Sequence, residues 1–244
     1  MLGVGMGPQH VTPEVADALR AADYVIAARK GEEDGLLAAR RAVAETFGIE
    51  VIEITDPERD RADPVDYPGA VAAWHAARVA AYEQVLRERG GTAAFLVWGD
   101  PSLYDSTIRI VEKLAARLPA EYDVLPGISA PQLLAARHRI VLHDVGRPVH
   151  ITTARRLQEA IAGGQGNIVV LLGNGLELDG PVLDSLADWS IWWGANLGTQ
   201  AEELTSGRVS EVRPALAAAR ARAKTAAGWV MDVYLLRRPS EVAS

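Results

Sequence analysis

Three glycine-containing stretches hold the residue types that could bind a ligand or move a proton. Residues 3–8 read Gly-Val-Gly-Met-Gly-Pro, residues 98–104 read Trp-Gly-Asp-Pro-Ser-Leu-Tyr, and residues 125–131 read Leu-Pro-Gly-Ile-Ser-Ala-Pro. Glycine lets backbone amides approach a ligand closely, and the amino-terminal end of a following helix favours anionic groups. We therefore expect ligand contacts in these stretches, with Asp100 as their acidic group.

Each stretch also has a purely structural interpretation. The first could be a plain tight turn, Asp100 and Ser102 could cap a helix that begins near Ser102, and Ser129 could cap the next helix. A dinucleotide-binding loop has the pattern Gly-x-Gly-x-x-Gly directly after a strand. In the first stretch Pro8 occupies the position of the last glycine, which argues against that interpretation. Asp23 lies at a suitable distance for the ribose-binding acid, so a nucleotide-dependent oxidoreductase stays open as an alternative.

A basic segment lies at residues 137–156. It contains five arginines and one aspartate, so its local charge is +4. The whole chain contains 25 Lys and Arg and 32 Asp and Glu, which gives a net charge of −7. Guanidinium groups bind carboxylates through paired hydrogen bonds, so the segment suits an acidic ligand, although a solvated surface is the alternative. His138, His143 and His150 lie there too, but their irregular spacing argues against a metal site.

The composition narrows the classes of protein. The chain has 244 residues, of which 49% are hydrophobic and 23% charged, typical of a folded globular protein. It contains no cysteine, which excludes disulfides, thiolate nucleophiles and cysteine-ligated metals. No apolar run is long enough to cross a membrane, and the start lacks the features of a secretion signal. We expect a cytoplasmic protein that binds neither membrane nor nucleic acid.

The order of apolar runs and helical patterns predicts an α/β fold with parallel strands and crossover helices. We expect two α/β domains, residues 1–146 and 147–244. A hydroxyl cap at Thr12 and Pro13 predict a helix start, and a long helix over residues 69–89 should end at Gly90. The predicted strands cover residues 24–28, 50–54, 93–98, 122–125, 149–153, 167–173, 190–196 and 229–237, and a last helix covers residues 214–227.

The order of the three glycine stretches resembles that of the tetrapyrrole (corrin/porphyrin) methylase family, the class III S-adenosylmethionine-dependent methyltransferases, over nearly the whole chain. Residues 30–33, 98–107 and 228–236 resemble members that both methylate and deacetylate a corrin precursor of aerobic cobalamin biosynthesis. The resemblance implies two α/β domains with the active site in the cleft between them, a homodimer, and S-adenosylmethionine held largely by backbone groups without a metal. Family members begin with a full strand, whereas only Met1 and Leu2 precede the glycines here, so we expect a shortened first strand or an upstream start.

The resemblance also implies roles for individual residues. The reaction would be methylation at C-1 of precorrin-5, with hydrolytic loss of its acetyl group as acetate. Asp100 would assist deacetylation near cofactor and substrate, with Tyr104 donating a proton or orienting a group. Other candidates for the base are His10, His143, Glu32 and Glu33. The cofactor contacts would be Met6, Gly99, Asp100, Leu103, Ser129, Ala130, Leu172 and Gly198.

The substrate would be a polycarboxylate tetrapyrrole, which gives the basic segment a purpose. Its carboxylates would bind Arg29, Lys30, Arg137, Arg139, Arg147 and Arg155. Another methyltransferase of the family, either a different precorrin methylase or a diphthine synthase-like enzyme, is an alternative that shares cofactor binding. A non-catalytic sensor of S-adenosylmethionine is a further one.

Overall fold

A computed structural model describes residues 1–29, 31, 34–57, 67–173 and 185–239. The chain divides into two compact units, Met1–Ser129 and Ala130–Ser244. The second unit begins at the first residue of a helix, 17 residues before the boundary predicted at 146/147. That predicted domain boundary stays a prediction, because a compact unit is not by itself an independently folding domain.

The first unit alternates strands and helices. Its strands are β1 (Leu2–Gly3), β2 (Tyr24–Arg29), β3 (Val51–Thr55), β4 (Ala93–Ala94) and β5 (Leu96–Val97), and its helices are α1 (Pro13–Ala21), α2 (Gly35–Thr46), α3 (Tyr67–Arg89) and α4 (Thr107–Ala115). The α1 start is confirmed, because the Thr12 hydroxyl accepts from the Val15 amide at 3.2 Å and Pro13 opens the helix. The α3 end is also confirmed, with Gly90 in the left-handed region at φ 61°.

The strand ladders of the first unit are parallel, as the sequence predicts. The strands β3, β2 and β4 form one ladder, and β1 pairs with β5, which continues the run of β4 after Phe95. The predicted strand at residues 122–125 is only a single bridge, from Leu125 to Leu2. Parallel strands place their carboxyl ends at one edge, so the glycine stretches that follow β1 and β5 emerge side by side.

Two strands of this unit diverge at a defined point. The pairing of β2 with the β4–β5 run ends at Val25 and Ala94, although β2 continues to Arg29. The carboxyl half of β2 therefore pairs only with β3 among the described strands. The backbone groups of Leu96 that face β2 must find partners other than a neighbouring strand.

The second unit contains a mixed five-stranded sheet among its described residues. Its elements are α5 (Ala130–His138), β6 (His150–Thr153), α6 (Leu157–Ala162), β7 (Asn167–Leu171), β8 (Ser190–Ala195), β9 (Glu203–Arg208), α7 (Val209–Ala227) and β10 (Asp232–Arg237). The strand order is β6-β7-β10-β8-β9, with β6 and β7 parallel and the other pairs antiparallel. The fully buried Trp193, Ile168 and Leu236 belong to a core that also includes residues of α6 and α7.

Sequence patterns missed two features of the second unit. Strand β9 was not predicted, because its sequence Glu-Leu-Thr-Ser-Gly-Arg has only one apolar residue, although its burial alternates as in an edge strand. Helix α7 begins at Val209, five residues before the predicted start, and contains Pro214 in its second turn. No helix in the described part of the chain has both the length and the apolar character needed to cross a bilayer.

Candidate functional site

The three glycine stretches meet at the carboxyl edge of the first unit's strands. Gly5 and Gly99 exchange backbone hydrogen bonds, with the Gly99 amide 2.7 Å from the Gly5 carbonyl and the Gly5 amide 3.2 Å from the Gly99 carbonyl. The Gly3 amide donates to the Leu125 carbonyl at 2.9 Å. The chain therefore brings together all three segments in which ligand contacts were expected.

Only glycine fits where these backbones touch. A β-carbon on Gly127 would lie 2.3 Å from the Gly99 carbonyl oxygen, and one on Gly3 would lie 2.5 Å from the Gly127 nitrogen. Both distances are far below van der Waals contact with rigid backbone atoms. The glycines are thus required for close packing of the three stretches against one another, in addition to any approach to a ligand.

Asp100 connects the second stretch to the third. Its Oδ1 accepts from the Ser102 amide at 2.9 Å and from the Ser102 hydroxyl at 2.5 Å, while its Oδ2 accepts from the Gly127 amide at 3.0 Å. Burial raises the pKa of Asp100, but the hydrogen bonds from the Ser102 hydroxyl and the Gly127 and Ser102 amides outweigh it. The net pKa is lowered, so the group is held as a carboxylate.

The helix-capping interpretation of Asp100 and Ser102 is wrong. Helix α4 begins at Thr107, five residues after Ser102, and Asp105 Oδ1 accepts from the Thr107 amide at 2.6 Å. Residues 101–104 are turns and bends. Asp100 instead fixes a local turn and a distant loop, a role that the sequence position alone could not distinguish from a cap.

Several predicted cofactor contacts lie close together around Gly99. A β-carbon built on Gly99, whose φ is 78°, would lie 3.8 Å from Met6 Sδ and 3.9 Å from Ser129 Cα. Met6 and Ser129 are both buried, at 2% and 9% exposure. The Leu103 amide donates to the Asp100 carbonyl at 3.2 Å, which holds Leu103 beside the same turn.

Tyr104 has an unusual backbone. Its φ of 52° is in the left-handed region, which costs a bulky side chain about 1 kcal/mol or more, and its side chain is largely exposed. Such strain is common at ligand-binding sites. The role of Tyr104 in proton transfer stays a prediction.

In the second unit, three predicted site residues follow strands β6, β7 and β8, which run in the same direction in the sheet. Leu172 follows β7, Gly198 comes three residues after β8, and Arg155 follows β6. Leu172 has a φ of 56° and, like Tyr104, is an exposed residue with a left-handed backbone. Ala130 is the first residue of α5.

Side chains fix the Gly198 loop. Buried Asn196, at φ 49°, accepts from the Met231 amide at 2.9 Å through Oδ1 and donates to the Trp229 carbonyl at 3.2 Å through Nδ2. Glu202 Oε2 accepts from the Gly198 amide at 2.7 Å. Sequence reasoning missed both Asn196 and Glu202, because neither belongs to a recognisable motif.

The structure does not gather the basic segment into one cluster. Arg137 Nε lies 2.8 Å from Glu202 Oε1, so this guanidinium faces the Gly198 loop. Arg155 follows β6, whereas Arg147 precedes it, and a strand of four residues separates them by about 13 Å. Arg139 sits at the end of α5 with a φ of 56°.

The remaining candidates are dispersed. Arg29 is exposed, 3.9 Å from Glu53, and Lys30, Glu32 and Glu33 lie outside the described residues. His10 packs beside Gly5. Two histidines of the basic segment contact backbone carbonyls: His138 contacts that of Trp193 and His143 that of Asp144. Within the described ranges, no group of three or more His, Asp or Glu residues could hold a metal ion.

One buried carboxylate also went unrecognised from the sequence. Asp232 at the start of β10 is 4% exposed, lies 3.7 Å from Arg220 Nε, and accepts from the Trp193 indole at 3.4 Å. Burial raises its pKa, and the Arg220 charge opposes that effect. Its position beneath α7 connects helix and sheet beside the Gly173 backbone.

Comparisons with known proteins agree with this geometry. Residues 1–213 match the family described as Tetrapyrrole (Corrin/Porphyrin) Methylases. The chain is 44% identical over 252 residues to a precorrin-6A synthase [deacetylating] from Sinorhizobium sp., covering 99% of this chain and 95% of that protein. A crystal structure of a putative cobalamin synthesis related protein (CobF) from Corynebacterium diphtheriae is 36% identical, with a TM-score of 0.81 and coverage of 98% and 97%.

More distant structures share the fold. A cobalt precorrin-4 methyltransferase, CbiF, superposes with a TM-score of 0.68 at 16% identity, covering 97% of this chain and 92% of its own. The resemblance predicted from the three glycine stretches is therefore confirmed. With its family match over most of the length and a relative of 44% identity, this chain belongs to the tetrapyrrole (corrin/porphyrin) methylase family.

Proposed function

We propose that this protein catalyses the reaction of precorrin-6A synthase, the S-adenosylmethionine-dependent methylation of C-1 of precorrin-5 with loss of acetate. The observation that carries the proposal is the 44% identity to a deacetylating precorrin-6A synthase across 99% of the chain. The match extends over both compact units of the chain. A cytoplasmic homodimer is the proposed working form.

The reaction combines two chemical steps. Water adds to the acetyl carbonyl, and the carbon–carbon bond to the ring breaks to release acetate and leave an enamine-like carbon. That carbon then takes the methyl group, which S-adenosylmethionine supplies from its sulfonium when bound. The residues of the protein have to position the reactants, and the first step also needs proton transfer and stabilisation of a developing oxyanion.

The residues present fit such a cofactor. In the first unit Met6 and Ser129 lie close to Gly99, and the adjoining Asp100 stays ionised. An anionic, carbonyl-lined site suits a sulfonium cation. We propose Met6, Gly99, Leu103 and Ser129 as contacts from this unit. From the second unit we propose Ala130, Leu172 and Gly198.

We propose that Asp100 positions the loops rather than accepting a proton. Both of its oxygens already accept hydrogen bonds from the protein, and its lowered pKa makes it a weak base. Tyr104, four residues later and exposed on a strained backbone, is the better candidate for contact with the substrate. Arg155 and Arg147 stay proposed carboxylate contacts, whereas Arg137 supports the Gly198 loop through Glu202.

Calorimetric titration with S-adenosylhomocysteine tests the proposal first, with NADH as the control ligand. We expect micromolar binding at about one site per chain and no binding of NADH. Incubation with precorrin-5 and S-adenosylmethionine should then release acetate and methylated product in equal amounts. Binding of NADH alone would support a nucleotide-dependent oxidoreductase instead. Binding of S-adenosylhomocysteine without turnover of precorrin-5 would support a non-catalytic sensor.

The Asp100→Asn variant tests the positioning role. An asparagine amide would turn an N–H group toward the Ser102 or Gly127 amide, so we expect a loss of about 1–3 kcal/mol of stability. Cofactor affinity and acetate formation should fall together. Loss of acetate formation alone, with cofactor affinity kept, would instead make Asp100 the proton-transfer group.

The same residue predicts an acid dependence of stability. Because the folded pKa lies below the ordinary value of 3.8, the unfolded chain binds the proton more tightly. The contribution of Asp100 is complete above pH 3.8 and is lost as the pH falls through the lower, folded pKa. Urea unfolding of wild type and Asp100→Asn below pH 4 should therefore converge, and a constant difference would contradict the assignment.

A further inference from the structure

The start of β10 lies between two strand ends that carry predicted cofactor contacts. Strand β10 pairs with both β7 and β8, and its register places Asp232 opposite Ala195 at the end of β8 and Val233 opposite the last residue of β7. The loops that contain Leu172 and Gly198 follow directly at this edge of the sheet. Asp232, the first residue of β10, is therefore next to the beginning of both loops.

Partners from two other elements fix one oxygen of the Asp232 carboxylate. Asp232 is 4% exposed, and its Oδ2 lies 3.7 Å from Arg220 Nε of α7 and accepts from the Trp193 indole of β8 at 3.4 Å. A buried carboxylate needs an opposite charge or hydrogen bonds in place of water, and these two partners supply both. The carboxylate is therefore held in one orientation against the sheet.

The other oxygen of this carboxylate, Oδ1, lies against the loop that follows β7. Among the described residues no donor makes a hydrogen bond to it, and a β-carbon built on Gly173 would lie 2.8 Å away. Apart from the chain neighbours of Gly173, the three described atoms nearest to that β-carbon all belong to Asp232. Gly173 has no positive φ, so the nearby carboxylate, and not the backbone angle, is the reason for a glycine here. The backbone directly after Leu172 therefore packs on Asp232.

The residue before Asp232 anchors the other loop. The Met231 amide donates to Asn196 Oδ1 at 2.9 Å, and the Met231 carbonyl accepts from the Asn196 amide at 2.9 Å. Asn196 directly follows β8 and begins the loop that contains Gly198. Two consecutive residues of the 228–236 segment thus contact the two loops, Met231 the loop after β8 and Asp232 the loop after β7.

We propose that Asp232 is a positioning residue for the cofactor site, because its carboxylate sets the place of the backbone that carries Leu172. The inference rests on the proposed function, which makes Leu172 and Gly198 cofactor contacts. Asp232 acts through Gly173 and stays out of contact with the ligand. A loop that is held in its binding position before the ligand arrives loses less conformational freedom on binding, so this support raises the affinity for the cofactor.

Calorimetric titration of single and double variants with S-adenosylhomocysteine tests the contact. Gly173→Ala brings a methyl group against Asp232 Oδ1 and displaces the carboxylate or the loop, so we expect binding to weaken about tenfold. Asp232→Ala removes the support and should weaken binding by a similar factor. In the double variant the methyl group has room, so adding Gly173→Ala to Asp232→Ala should change the affinity by less than about twofold.

Conservative variants separate the shape of the side chain from its charge. Asp232→Asn keeps the shape beside Gly173 and an acceptor for the indole, so it should recover most of the affinity that Asp232→Ala loses. Arg220→Met should weaken binding about threefold, as expected for a partly exposed ion pair. The matched control is Arg222→Met in the same helix, because Arg222 is exposed and pairs with Glu203 of β9, and there we expect wild-type affinity.

Urea unfolding and the number of binding sites separate positioning from folding. A merely structural role would lower the stability of Asp232→Ala while the folded protein kept the wild-type affinity and number of sites, and that result would overturn the proposal. An equal cost of Gly173→Ala in both backgrounds would overturn it too. If Asp232→Ala fails to fold, unchanged affinity in both Gly173→Ala and Arg220→Met decides against it. Wild type that binds no S-adenosylhomocysteine would remove the proposed function as well.

Discussion

The two units build their strand-end loops in different ways. In the first unit, backbones touch directly at Gly3, Gly99 and Gly127, and Asp100 is the main side chain that connects them. In the second unit, the Gly198 loop is fixed by the side chains of Asn196 and Glu202. The first arrangement requires the absence of a side chain at given positions, whereas the second requires its presence.

This difference predicts how each region tolerates substitution. A single added methyl group in the first region meets rigid backbone, which cannot move aside. A removed side chain in the second region leaves backbone groups without a partner but causes no steric overlap. We therefore expect the largest losses from additions to the first unit and graded losses from deletions in the second.

The strongest test is Gly127→Ala. Its β-carbon would lie 2.3 Å from the Gly99 carbonyl oxygen, so we expect a loss of more than about 3 kcal/mol of stability or failure to fold. Urea unfolding measures the effect. Gly31→Ala is the control, because a β-carbon at Gly31 would have no described neighbour within 4 Å, and similar losses in both variants would contradict the close-packing argument.

Asn196→Ala should have the next largest effect. It removes hydrogen bonds to the Met231 and Trp229 backbone and leaves alanine at a φ of 49°, which together should cost about 2–4 kcal/mol. Asn196→Gly separates the two causes, because glycine accepts the backbone angle but makes no side-chain hydrogen bond. If both variants lose the same amount of stability, backbone strain at residue 196 contributes nothing measurable to the loss.

Glu202→Gln should give the smallest change. A glutamine still accepts from the Gly198 amide but loses the charge that faces Arg137, so we expect a loss of about 1 kcal/mol and a few-fold weaker binding of S-adenosylhomocysteine. The control is Glu203→Gln, whose partner Arg222 is exposed, and there we expect no measurable change. If Glu203→Gln lost more stability than Glu202→Gln, the proposal that Glu202 supports the Gly198 loop would be wrong.

Much of the first unit could be predicted from sequence. Parallel strands, the Thr12 helix start and the meeting of the three glycine stretches follow from local patterns and from the rule that loops after parallel strands share an edge. The exception is the helix predicted near Ser102. The hydrogen bonds of Asp100 to Ser102 look the same in sequence whether they cap a helix or a turn, and only the later start of α4 distinguishes them.

The side-chain networks could not be predicted. Arg137 and Glu202 are 65 residues apart, and Arg40 meets the Leu96 carbonyl only because β2 leaves it unpaired. Charge counting grouped the arginines at 137–156 because they are close in sequence, although β6 places Arg147 and Arg155 at opposite ends. Long-range contacts of polar groups depend on strand register, which composition does not encode.

The left-handed backbones of Tyr104 and Leu172 have a consequence for sequence change over time. Each position keeps a large, exposed apolar side chain on a conformation that glycine would adopt without strain. A chain selected for stability alone should drift toward glycine there, because the substitution relieves strain and sacrifices little buried surface. Retention of tyrosine and leucine in descendants would therefore record selection for what those side chains contact.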